Sequence, residues 1–188
     1  MSAGQRLRFF PTIKDTLFGY RLHMFDLATN KALAAASRRE PRDVLDLLHI
    51  HDHHVQLGAV IWAAVAKDPG YSPESLIREI RRNARYRADD YADLAMTDPV
   101  DAGDVARRLR AALDEAEAFV AAMPVGQEGL VFLKDGKPTQ PDPARLASFE
   151  AHSGRRGGTW PSSSEIGSAM LHDDTGTPTK PPPEDQAD

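Results

Sequence analysis

Apolar positions along the chain fall into blocks of different period, and each change of period marks an element. Residues 7–10 and 20–23 are short runs of aromatic or alternating apolar character, separated by Pro11 and Asp15, and they predict two N-terminal strands. Asp26 offers a helix N-cap ahead of Leu27 to Ala36, an alanine-rich stretch without a breaker. A second helix starts at Glu40-Pro41, because proline at a first helical position forfeits no hydrogen bond; Val44, Leu47, Leu48 and Ile50 are its apolar stripe. Residues 55–66, with Trp62, are apolar on nearly every side and predict the most buried helix, where Gly58 marks a kink or a close approach. The turn Asp68-Pro69-Gly70 ends that block.

Ser72-Pro73 opens a further helix to about Tyr86, with Arg78, Arg81, Arg82 and Arg85 on the side away from Leu76, Ile77 and Ile80. A long amphipathic helix runs from about Asp104 to Ala122, its stripe formed by Val105, Leu109, Leu113, Ala116 and Val120. Residues 130–133 and 137–139 flank Asp135-Gly136, the sequence of a hairpin on a type I′ turn. From His152 onward Gly, Ser, Thr and Pro dominate, which predicts a disordered tail that buries too little to offset its own ordering. The pattern therefore predicts an α+β, mainly helical domain over residues 1–150, with short N-terminal strands, a helical bundle and a small late hairpin. A tail over residues 151–188 follows it.

Composition narrows the chemistry. The chain has 188 residues and no cysteine, which excludes disulfides, thiolate metal sites and a cysteine nucleophile. The N-terminus has no apolar h-region, and the longest apolar run, residues 57–66, falls short of the roughly 20 residues a bilayer requires, so a soluble cytoplasmic protein is expected. Residues 1–90 carry 14 Lys/Arg against 11 Asp/Glu, and residues 91–188 carry 9 against 17. A polyanion should therefore prefer the first half.

Lys31 and the Arg42-Asp43…Asp46 group are the first candidate site. Asp43 and Asp46 share a helix face, and Lys31 lies on the helix just before. Such a group can present a phosphate-facing cation backed by carboxylates, and the same spacing also fits a structural salt bridge between helices.

The run Tyr20-Arg21-Leu22-His23, Asp26-Leu27-Ala28-Thr29-Asn30-Lys31 and Arg38-Arg39-Glu40-Pro41-Arg42-Asp43-Val44-Leu45-Asp46-Leu47 resembles the AbiEii/AbiGii-type nucleotidyltransferase toxins of type IV toxin–antitoxin systems. The resemblance is to the lysine helix and the R-D-x-x-D-L helix, and extends loosely over residues 1–150. It implies a partial nucleotidyltransferase-like fold and transfer of a nucleotide from an NTP with Mg²⁺, with tRNA as one acceptor, in phage defence. It further implies Lys31 and Asp43 as catalytic residues, Arg42 and Asp46 as their supports, and a cognate antitoxin as partner. The family's Gly-Ser and Asp-x-Asp elements have no counterpart before Lys31, where the only aspartates are Asp15 and Asp26; Gly167-Ser168 lies in the tail. The expectation is an incomplete enzyme, inactive alone, whose other half is encoded upstream or sits on a separate chain. The alternative is a non-catalytic module that binds an antitoxin or nucleic acid through its helical face.

Two more groups invite chemistry. Asp46, His49 and His53 fall on one helix face and are weak candidates for a metal, within a cluster that also holds His51, Asp52 and His54. Arg78, Arg82 and Arg85 are candidate nucleic-acid contacts. A solvated helix with Glu74 and Glu79 as local partners explains that spacing equally well.

Overall fold

A computed structural model describes residues 7–17, 19–92, 94, 96 and 99–156. The chain is α+β, with helices α1 (Met24–Ser37), α2 (Pro41–His53), α3 (Leu57–Ala64), α4 (Pro73–Asn83), α5 (Ala88–Ala92) and α6 (Ala102–Ala122). The strands are β1 (Leu7–Arg8), β2 (Ile13–Asp15), β3 (Gly19–Arg21), β4 (Leu130–Lys134), β5 (Lys137–Thr139), β6 (Glu150–Ser153) and β7 (Arg155–Arg156). A 3₁₀ turn over Pro143–Ser148 links β5 to β6.

Helix α3 forms the centre, since every one of its residues is buried. It packs on α1, α6 and β4, while α1 also packs on α2 and α4. Gly58 is a close approach, not a kink: a Cβ there would lie 2.7 Å from the Phe119 ring and 2.3 Å from Gln140 Oε1. Trp62 lies edge-on to Phe119, and its indole N–H donates to the Gln127 carbonyl at 2.8 Å, so the polar end of a buried ring is satisfied.

The late hairpin has the expected turn, with Asp135 and Gly136 at φ of 53° and 72°. It is one side of a three-stranded sheet in the order β5-β4-β6. Strand β6 crosses the expected boundary between residues 150 and 151, and β7 extends order to Arg156. Backbone pairing to β4 holds this polar segment, so no apolar alternation announces it. The rest of the expected tail, including Trp160 and Gly167-Ser168, lies outside the described residues.

The N-terminal strands differ from expectation in pairing. Strand β1 pairs antiparallel with β7, while β3 closes a hairpin with β2, a strand too short to show a period. Asp26 is not the cap of α1. His23 Nδ1 accepts the Phe25 N–H at 3.2 Å, and Asp26, one turn inside, points into the core instead. Helix α3 is shorter than residues 55–66, and α4 stops at Asn83, whose amide donates to the Ala36 carbonyl at 2.6 Å. Asp101 caps α6 through the Gly103 and Asp104 amides, so that helix starts before Asp104.

Candidate functional site

Helices α1 and α2 meet across a short connection in which Arg38 is extended, with φ −143° and ψ 165°. Proline at the first position of α2 fixes where that helix begins, and Asp43 follows in its first turn, where a carboxylate also favours the helix dipole. Asp43 is 1% exposed. Lys31 Nζ reaches Asp43 Oδ1 at 3.2 Å and Asp46 Oδ2 at 2.5 Å, so the three residues paired by spacing do meet.

Arg42 does not take the supporting role. It is exposed on the outer side of α2, and Arg38 grips Asp43 in its place, with Nε to Oδ2 at 2.8 Å and Nη2 to Oδ1 at 3.1 Å. The signal was present: an arginine just past one helix end and five residues before an aspartate in the next first turn can span that gap. Burial works against ionised Asp43, yet Arg38 and Lys31 outweigh it and hold the carboxyl below its ordinary pKa. Burial likewise opposes charged Lys31, and the Asp46 and Asp43 carboxylates more than compensate, so its pKa lies above the usual lysine value. Lys31 is 34% exposed, and two carboxylates are its ion partners, which leaves one ammonium proton for a ligand or water.

A second lysine–aspartate pair, absent from the sequence reading, lies on another face of α1. Lys67 is 3% exposed, and its ammonium donates to Asp26 Oδ1 at 2.8 Å, the Asp26 carbonyl at 3.2 Å and Asn30 Oδ1 at 3.0 Å. All three protons are used. Asp26 also accepts the Phe9 and Phe10 amides at 3.0 Å each, so one carboxylate ties the N-terminal segment to α1 and to the turn after α3. Burial lowers the Lys67 pKa, and Asp26 offsets that only in part. The signal was a lysine at the end of a wholly apolar block.

The histidines do not converge on a metal. His49 and His53 stack at 4.5 Å between ring centroids, His53 Nδ1 donates to the His49 carbonyl at 3.0 Å, and Asp46 is engaged by Lys31. His51 accepts the Leu57 amide at 3.3 Å, and Asp52 pairs with Arg108. Among the described residues, no group of three or more His, Cys, Asp or Glu is placed to hold a metal ion.

The arginine face also divides. Arg78 and Arg82 are exposed on α4, with Arg82 paired to Glu79 at 2.5 Å, whereas Arg85 lies beyond the helix end. Arg81 turns to α6 and meets Asp114 at 2.7 Å and Glu117 at 3.0 Å. A cleft of about 400 Å³ beside α5, lined by Tyr91, Leu94, Met96 and Val100 among others, shares no residue with the Lys31 cluster. Among the described residues, no helix is long and apolar enough to cross a membrane.

No family model matches the chain, and no curated protein or solved structure matches it.

Proposed function

We propose that this chain is the nucleotide-facing helical part of an AbiEii-like nucleotidyltransferase toxin, with a partial nucleotidyltransferase-like fold. The observation that carries the reading is the contact of Lys31 with Asp43 across α1 and α2, at 3.2 Å, with one ammonium proton left over. A cation held by carboxylates and one-third exposed suits the oxygens of a triphosphate. Asp43 in this role sets the position of the ammonium.

Mg²⁺ does not fit the residues present. Both Asp43 oxygens are occupied by Arg38 and Lys31, Asp46 is paired with the same ammonium, and no third carboxylate joins them among the described residues. In this reading the metal-holding carboxylates belong to a segment encoded upstream or to a separate chain, and the residues present are inactive without them. The acceptor, tRNA included, and a cognate antitoxin belong to the same proposal.

A second reading, a non-catalytic module binding an antitoxin or nucleic acid through its helical face, is favoured by the charge balance of the cluster. Lys31 and Arg38 are offset by Asp43 and Asp46, as a structural junction requires. Radiolabelled NTP crosslinking and transfer to total tRNA separate the two. The first reading expects crosslinking that disappears in Lys31→Met, and no transfer by the chain alone. No crosslinking above that of a Lys31→Met control favours the second, and transfer by the isolated chain contradicts the account of its missing carboxylates.

A further inference from the structure

Arg38 contacts both oxygens of Asp43, alone among the described residues, and does so from the solvent side with its side chain 59% exposed. Lys31 is thereby limited to one Asp43 oxygen, shared with Arg38 Nη2, and reaches over to Asp46 for its second partner. Without the guanidinium, the ammonium can settle between both oxygens of a buried carboxylate, and its remaining proton turns away from solvent. Arg42, which neighbours Asp43 in sequence, has no such contact and is exposed.

We infer that Arg38 is a positioning residue for the Lys31 ammonium, holding it in the pose that binds a phosphate oxygen. The inference rests on the nucleotide-facing reading of Lys31 and adds the residue that sets its geometry. A planar fork meets two carboxylate oxygens at once, and a lysine's single ammonium at this position cannot reproduce that grip.

Calorimetric titration of the full chain with inorganic triphosphate at low salt tests it, together with the NMR titration of the Lys31 side chain. The expected result is loss of binding in Lys31→Met, about tenfold weaker binding in Arg38→Gln, an intermediate value in Arg38→Lys, and an unchanged value in Arg42→Gln. Arg38→Gln should also move the Lys31 titration upward, whereas Arg38→Lys, which keeps the charge but not the fork, should leave that titration near the parent's and still weaken binding, so lost geometry is read apart from lost charge. Binding and Lys31 titration like the parent chain in Arg38→Gln, with binding still lost in Lys31→Met, would overturn the positioning role and leave the site reading standing. Binding that survives Lys31→Met would overturn both. Should Arg38→Gln fail to fold, Arg38→Lys decides: parent-like affinity in that variant also overturns the inference.

Discussion

Two lysine–aspartate pairs flank helix α1, and they differ in how far each is shut off from solvent. Lys67 and Asp26 are 3% and 0% exposed, and every ammonium proton has an acceptor within the protein. Lys31 is one-third exposed, shares its charge between Asp43 and Asp46, and retains a free proton. The same chemical pair is closed where water is excluded and keeps a proton for solvent where it is not. The difference also appears in the pKa directions, since burial lowers Lys67 while the two carboxylates raise Lys31.

Deleting the acidic member should contrast the pairs most strongly. Asp26→Ala leaves a buried ammonium and two backbone amides without their partner, so a loss of about 3–5 kcal/mol is expected in urea unfolding. Lys67→Met should cost less, about 2–3 kcal/mol, because the Phe9 and Phe10 amides still satisfy the carboxylate. Asp43→Ala should cost about 1–2 kcal/mol, as Arg38 and Lys31 can both turn to water. A loss for Asp43→Ala equal to that for Asp26→Ala would erase the distinction.

Alkaline unfolding sharpens it through opposite signs. The raised Lys31 contributes stability that is full below the unfolded lysine pKa and fades as pH rises through its higher folded value. The lowered Lys67 does the reverse: between its folded and unfolded values the unfolded chain binds more protons, and stability rises with pH. Lys31→Met should thus remove an alkaline decline and Lys67→Met an alkaline gain. On the acid side, the contribution of Asp43 is present above the unfolded carboxyl pKa and is lost as pH falls through its lower folded value. The smallest expected effect is on the stability of Lys31→Met at neutral pH, about 0–1 kcal/mol, because a partly exposed ion pair is well solvated.

How much of this was legible in the sequence follows from the range of each signal. Pro41, the Val44–Leu47–Leu48 stripe and the Asp135-Gly136 turn act within one or two turns of chain, and the corresponding elements are present. The meeting of Lys31 with Asp43 was readable because two adjoining helices bring them together. Lys67 and Asp26 lie 41 residues apart, and no local spacing joins them. Asp26 could cap a helix or enter the core, and the Phe9 and Phe10 amides that draw it inward come from a segment folded back from before β2. Strand β6 escaped for a like reason: its pairing with β4 is backbone-made, and all its residues but Ala151 are polar. Arg38 was visible as a charge, and only the extended backbone after α1 makes it, not Arg42, the residue that reaches Asp43.

The measurement that bears most directly on the account is a triphosphate titration read at the lysine side-chain resonances of the intact chain. Inorganic triphosphate is expected to shift the Lys31 signal, assigned by its absence in Lys31→Met, in a saturable way weakened by salt, while the Lys67 signal stays still in both proteins. Saturable shifts at Lys67, or none at Lys31, would contradict it.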